Sequence, residues 1–225
     1  TGVAFKAIYE APTGYRIINP VTTLVHELER LGESLKAAEG KVTGLGLFGS
    51  AAAVDLATFN PFKVATNGSA SADFSRAVAY QKVAAQLSLV MDVGASTIVA
   101  MSPITGDAVQ LGAVQDASLA LVTAVASWVD KNTSSSATLQ SQLSDQAFIK
   151  SLLTTVAGKT TWSAQISDTV LTSAATQIAH ANGAIAALGT AINSAETVQE
   201  LTKIAQFQLV VKGQLTSEIL AHVAD

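Results

Sequence analysis

Cysteine is absent from this chain, which excludes disulfide bonds and thiolate chemistry but is compatible with either an exported or a cytosolic protein. Charge is also scarce, because only 13% of the 225 residues are charged and the net charge is −4. Lysine and arginine occur singly, without the basic patch that a polyanion requires. The sequence therefore predicts no nucleic-acid partner.

The sequence also lacks a long apolar run without polar side chains, as a bilayer-spanning helix would need. The longest uncharged stretch, residues 169–195, contains Thr, Ser, Gln, Asn and His, which hydrocarbon would penalise. We therefore expect no transmembrane segment. The first residues lack the pattern of a secretory signal, so we expect any export signal to lie outside this sequence.

Helical periodicity is the main signal that the sequence does carry. Asn19 is a plausible N-cap, Pro20 suits the first helical position, and Gly32 is placed to end a helix. A second helix is predicted from Ser34. These two short helices would form an N-terminal helical hairpin, and residues 1–18 before them read as a β-like or extended arm.

Four long helices are predicted after the hairpin. The first carries apolar or small residues at steps of three and four, and ends near Pro103. Asp107 is the predicted cap of the second, whose apolar face includes Leu111 and Trp128. The third and fourth are predicted from two further stripes, which run over residues 166–192 and over residues 201–219. The stripe of the first consists of Tyr80, Ala84, Leu87, Met91, Gly94, Ile98 and Met101.

The predicted fold is all-α, with about four long helices in a bundle that also includes the short hairpin. Residues 19–225 are expected to form one domain, because the polar connector at 130–138 reads as a loop within the bundle. The turn at residues 55–62 is expected to direct Phe59 and Phe62 inward, and residues 65–72 are expected to form a loop.

A glycine motif at residues 44–49, GLGLFG, has the spacing of a dinucleotide fingerprint. That fingerprint needs a preceding strand, a following helix and an acidic residue about 20 positions on. A helix precedes it here instead. We therefore expect a helix-terminating loop, with Leu47 and Phe48 packed in the core.

Candidate chemical groups are few. None of His26, His180 and His222 has zinc-site spacing, so no metal site is predicted. His180 lies among Ala179, Ala181 and Gly183, which would admit a flat cofactor, and it is the candidate axial ligand of a haem. An ordinary helical histidine is the alternative interpretation.

Three other groups are candidate sites. Asp92 is expected on the polar face of its helix, whereas a buried acid there would mark a functional site. Asp130 and Asn132 carry oxygen ligands but lack the acidic density of a calcium loop. No G-x-S-x-G elbow is present for a nucleophilic serine. Without an acid, base and nucleophile in a convergent set, the sequence does not predict an enzyme.

The N-terminal third resembles a family. The carrying motifs are TGVAF at 1–5, APTG at 11–14, INPVTTLV at 18–25, GL at 46–47 and DLATFNP at 55–61. They are similar to the pattern TG-x-x-F, AP-x-G, I/V-x-PLTTL, LGL and DL-x-TFDP of helical modules in large bacterial cell-surface or secreted repeat proteins, which are adhesin-like chains of the RTX and VCBS type. Asn60 departs from the aspartate common at that position.

The resemblance implies a non-enzymatic extracellular or cell-surface module with a structural or adhesion role. The arm at 1–18 would then be the tail of an upstream module, and neighbouring modules of the same chain would be partners. A second copy of the chain, favoured by its low surface charge, or another surface component would be a further partner. The alternative, drawn from the many Ala and Gly residues on the stripes, is a helical binding domain for an apolar or tetrapyrrole small molecule.

Overall fold

The structure is a computed structural model, and it describes residues 7–47, 54–68, 70–104, 106–132 and 138–224. These residues form helices and no strands, so the all-α prediction is confirmed. The α-helices are α1 (Pro20–Arg30), α2 (Leu35–Val42), α3 (Pro61–Asn67), α4 (Ser71–Leu89), α5 (Ala95–Ala100), α6 (Asp107–Lys131), α7 (Leu139–Gln142), α8 (Gln146–Ala157), α9 (Asp168–Ala187) and α10 (Ser194–Ala224).

The hairpin of α1 and α2 follows its predicted signals. Asn19 Oδ1 accepts hydrogen bonds from the backbone N–H groups of Val21 at 2.9 Å and Thr22 at 3.1 Å. Gly32 follows α1 with a φ of 105°, a conformation that favours glycine. Ser34 caps α2 by accepting from the N–H of Ala37 at 3.3 Å. Local capping chemistry therefore sets these helix boundaries.

The centre of the fold is one continuous helical segment, Ser71–Ala100, made of α4, a π-helical turn at Val90–Gly94, and α5. The predicted stripe from Tyr80 to Ile98 is buried. Burial extends to the other faces as well, because α1, α3, α6, α9 and α10 all contact this segment. Its side chains therefore lie in the core in nearly every direction.

Three local predictions are wrong. Gly106, with a φ of 98°, holds the N-cap position of α6, and the predicted cap Asp107 is the first helical residue. Residues 61–67 form α3, where a loop was expected from residue 65, because Asn60 caps that helix and Pro61 starts it. Phe62 is 55% exposed at the outer side of this first turn, whereas Phe59 packs against Tyr80 at a centroid distance of 5.2 Å.

The last two long helices, α9 and α10, have different bounds from the apolar stripes that predicted them. Helix α9 covers residues 168–187, so Ile192 lies beyond it and is 65% exposed. Helix α10 begins at Ser194, where Asn193 Oδ1 accepts from the N–H of Glu196 at 2.9 Å. The glycine motif starts in a π-helical turn at Thr43–Leu47, without a preceding strand. The side chain of Leu47, the whole of Phe48 and connector residues 133–137 lie outside the described residues.

Residues 7–18 of the arm form no strand, and a turn at Thr13 and Gly14 interrupts them. The N–H of Glu10 donates to Thr23 Oγ1 on α1 at 3.0 Å, and the N–H of Arg16 donates to the carbonyl of Ala57 at 3.1 Å. The arm therefore packs along the helices. Its predicted origin in an upstream module stays a prediction.

Two of the described helices are long and apolar enough to cross a membrane by length and composition alone. The apolar window of Ser71–Ala100 is 89% buried within the protein, as expected of a core helix. That of Ala108–Lys131 is only 33% buried. Helix α6 therefore exposes apolar surface that the rest of the described chain does not cover.

Candidate functional site

Asp92 lies in the π-helical turn of the central helix and is only 2% exposed. Its Oδ2 is 2.8 Å from Lys212 Nζ of α10, which is also buried. Ser88 Oγ, one turn earlier on α4, donates to the same oxygen at 3.2 Å, and the N–H of Ala7 donates to Oδ1 at 3.0 Å. The expectation that Asp92 lies on a polar face is wrong, because helices cover this segment on all sides.

This polar cluster joins three parts of the chain. Tyr9 of the arm shares a hydrogen bond of 3.0 Å with Ser88 Oγ. Burial, and to a lesser degree the charge of Asp92, raises the pKa of Tyr9 to about 12, while the bond to Ser88 lowers it. Tyr9 is thus kept neutral at ordinary pH. The cluster holds the arm, the π-helical turn and α10 together, and its groups already bond to one another.

A groove runs along one side of α6. It has a volume of about 610 Å³, within the range of small-molecule sites. The α6 side of the groove follows one helical stripe: Val109, Gly112, Ala113, Asp116, Ala117 and Ala120. The other side is formed by Val156 at the end of α8 and by the following segment, Lys159 to Trp162.

The groove exists because the α6 stripe is built from small residues. A Cβ placed on Gly112 would meet no atom within 4 Å, so this position faces open space. The alanines that follow it, Ala113, Ala117 and Ala120, present no large side chain to Val156 and the Trp162 segment. Val109 at the end of the groove is 61% exposed. The sequence thus leaves an apolar trough where a bundle usually has interlocking side chains.

Trp162 supplies an aromatic wall with an unused donor. Its Nε1 is buried and has no hydrogen-bond partner among the described residues. A buried indole N–H normally finds an acceptor, and leaving it without one costs about 1 to 3 kcal/mol. This donor is closed off from solvent, so it belongs to the packing of the Trp162 segment and not to the open face of the groove.

A second section of about 420 Å³ continues along the same side of α6. Lys159 lines both sections, and the α6 stripe continues through Thr123, Ala124, Ser127, Trp128 and Lys131. On α8 this section is lined by Phe148, Ser151, Leu152 and Thr155. Trp128 and Phe148 pack edge to face with ring centroids 5.3 Å apart. The two sections together form the α6–α8 groove.

The sequence-predicted candidates lie elsewhere. His180 is exposed on α9 and does not line the α6–α8 groove. His26 Nε2 lies 3.5 Å from Glu10 Oε2, and the side chain of His222 is outside the described residues. Asp130 forms an ion pair with Lys41. In the described part of the chain, no three His, Asp or Glu side chains cluster as metal ligands would.

Sequence reasoning missed the groove because it treated the α6 stripe as a core face. Leu111, expected to be buried, is 42% exposed, whereas Leu121 and Val125 are buried as predicted. The available signal was the run of small residues at 112, 113, 117 and 120. Whether such a run admits a neighbouring helix or leaves a trough depends on where α8 lies, which local periodicity does not encode.

Comparison with protein-family models, with curated proteins and with solved structures finds no match to this chain.

Proposed function

We propose that residues 19–225 form a single helical-bundle domain that binds an apolar small molecule without transforming it. The α6–α8 groove would be the binding site. The observation that carries the proposal is the 610 Å³ section, where small residues on α6 face Trp162 across an open, mainly apolar space. This is the binding alternative raised by the sequence, now attached to particular residues.

Exposure of α6 supports the proposal. Its apolar window is 33% buried, and Val109, which lines the groove, remains accessible to solvent. Apolar surface gains about 25 cal/mol for each Å² removed from water, so a ligand that covers this face would be stabilised there.

The test compares one substitution at two glycines. Gly112→Leu places a side chain in the groove, whereas Gly183→Leu places the same side chain on α9, also into open space but away from the groove. Isothermal titration calorimetry with 1-decanol measures binding. We expect Gly112→Leu to weaken binding at least tenfold and Gly183→Leu to leave it unchanged.

Thermal unfolding provides the second readout. A ligand at 100 times its dissociation constant stabilises the folded state by about 2.7 kcal/mol, which raises the melting temperature of a chain this size by about 5 to 10 °C. We expect this rise for the unsubstituted protein and for Gly183→Leu. Equal rises for the two leucine variants, or no binding of 1-decanol at all, would contradict the proposal.

We also propose that this domain is extracellular. The resemblance of residues 1–62 to adhesin-like modules supports a place within a long bacterial surface or secreted protein, beside other modules. A gene that encodes a much longer chain with β repeats around this segment is the expected finding. A reading frame that encodes only these residues would count against it.

A further inference from the structure

We propose that the ligand of the α6–α8 groove is a single-chain anionic amphiphile, whose hydrocarbon tail lies in the first section and whose carboxylate binds Lys159. The proposal rests on the binding function proposed above and names the class of ligand. It follows from the different chemistry of the two sections, which meet at this lysine.

The first section suits a hydrocarbon chain. Its α6 wall carries Val109, Gly112, Ala113 and Ala117, and Trp162 contributes to the opposite wall. The α6 wall runs along the helix, as an extended unbranched chain requires. Each methylene buried there would tighten binding about fourfold.

The junction with the second section suits an anion. Lys159 is exposed, lines both sections and forms no ion pair with any residue that the structure describes. The second section adds Lys131 and the hydroxyl groups of Ser127 and Thr155. A carboxylate here would gain charge-assisted hydrogen bonds, which are about twice as strong as neutral ones.

Acidic groups nearby limit where the headgroup can lie. Asp116 lines the first section and would repel a carboxylate placed there. Asp130, next to Lys131, is already engaged by Lys41, and Thr123 donates to the buried carboxylate of Glu27. Lys159 is therefore the favoured position for the charge, and the tail would extend from it past Asp116 towards Val109.

The chain contains two tryptophans, and each reports on one section. In a Trp128→Phe variant, fluorescence comes from Trp162 alone and reports the tail section. We expect decanoate, below its micelle concentration, to shift this emission and to bind at least fivefold more tightly than 1-decanol. Across octanoate, decanoate and dodecanoate the affinity should rise about fourfold for each added methylene.

The charge is tested by removing it at one lysine. Lys159→Gln should abolish the preference for decanoate over 1-decanol, measured as the ratio of the two dissociation constants within this variant. Lys150→Gln is the matched control, because Lys150 also lies on the α8 side of the fold but pairs with Asp168 at 2.9 Å outside the groove. In this control the preference should persist.

Each result separates the two proposals. Equal binding of decanoate and 1-decanol, unaffected by Lys159→Gln, would overturn the carboxylate assignment and leave the binding function standing. Failure of both probes to bind would overturn both. Binding to anionic phospholipid vesicles without binding of monomeric decanoate would also overturn this inference, since it would make α6 a membrane-surface helix.

Discussion

Asp92 and Lys212 form an ion pair in which both side chains are at most 5% exposed. Breaking such a pair from one side leaves a buried charge without its counterion, which costs about 3 to 5 kcal/mol. We therefore expect Lys212→Met to lower the free energy of unfolding by that amount. The double variant Asp92→Asn with Lys212→Met removes both charges and should recover most of the loss, as measured by urea unfolding.

An exposed pair gives the control for this prediction. Lys150 and Asp168 lie 2.9 Å apart, but the Asp168 side chain is 75% exposed. Lys150→Met should therefore change the free energy of unfolding by less than about 1 kcal/mol. If the double variant at the buried pair were as unstable as Lys212→Met alone, the loss would come from packing of the lysine stem and not from the isolated charge.

Two helical glycines differ in how closely neighbouring helices pack around them. A Cβ on Gly94 would lie 2.8 Å from Leu153 Cδ2 of α8 and 3.0 Å from Leu121 Cδ1 of α6, and both leucines are fully buried. The central helix therefore packs tightly against α6 and α8 at Gly94. A Cβ on Gly112 would instead enter the open groove. One side of α6 is tightly packed and the other is not.

The same substitution should separate these two sides. Gly94→Leu overfills the core and should lower the free energy of unfolding by at least about 3 kcal/mol. Gly112→Leu removes a glycine from a helix interior without a clash and should raise it by about 0.5 to 1 kcal/mol. Urea unfolding measures both. A large loss at Gly112 would mean that the groove closes in solution.

The sequence predicted the positions of helices better than it predicted which helices pack together. Capping signals at Asn19 and Ser34 mark helix starts correctly, because caps depend on residues three positions apart. Asp92 was misplaced because its partner Lys212 is 120 residues away. The groove was missed for a similar reason, since α8 and the Trp162 segment complete it. Local chemistry determines where helices begin, whereas burial depends on what packs against them.

Two tyrosine hydroxyl groups join distant parts of the molecule. Tyr9 reaches Ser88 on the central helix, and Tyr80 of that helix reaches Asn19 Nδ2 at the start of α1 at 2.8 Å. Both tyrosines are largely buried, so both are held neutral. Burial raises the pKa of Tyr80 to about 12, while its bond to Asn19 acts in the opposite direction. Deprotonation of either ring would place a charge inside the fold.

These pKa values predict how stability changes in alkali. An unfolded tyrosine ionises near pH 10, whereas Tyr9 and Tyr80 do so only near pH 12 in the folded protein. Between these values the unfolded state binds fewer protons than the folded state, so stability is complete below pH 10 and falls as the pH rises towards 12. Each tyrosine should account for about 2 to 3 kcal/mol of the loss.

Urea unfolding at pH 9 and pH 12 tests this, with the Tyr9→Phe and Tyr80→Phe variants beside the unsubstituted protein. Each variant should start somewhat less stable at pH 9, because it lacks the hydroxyl bond to Ser88 or Asn19. It should then lose less between the two pH values, because one ring can no longer ionise in the unfolded state. If all three proteins lost the same free energy of unfolding between pH 9 and pH 12, the alkaline transition would be due to lysine deprotonation. The two tyrosine rings would then not be the groups that burial keeps neutral.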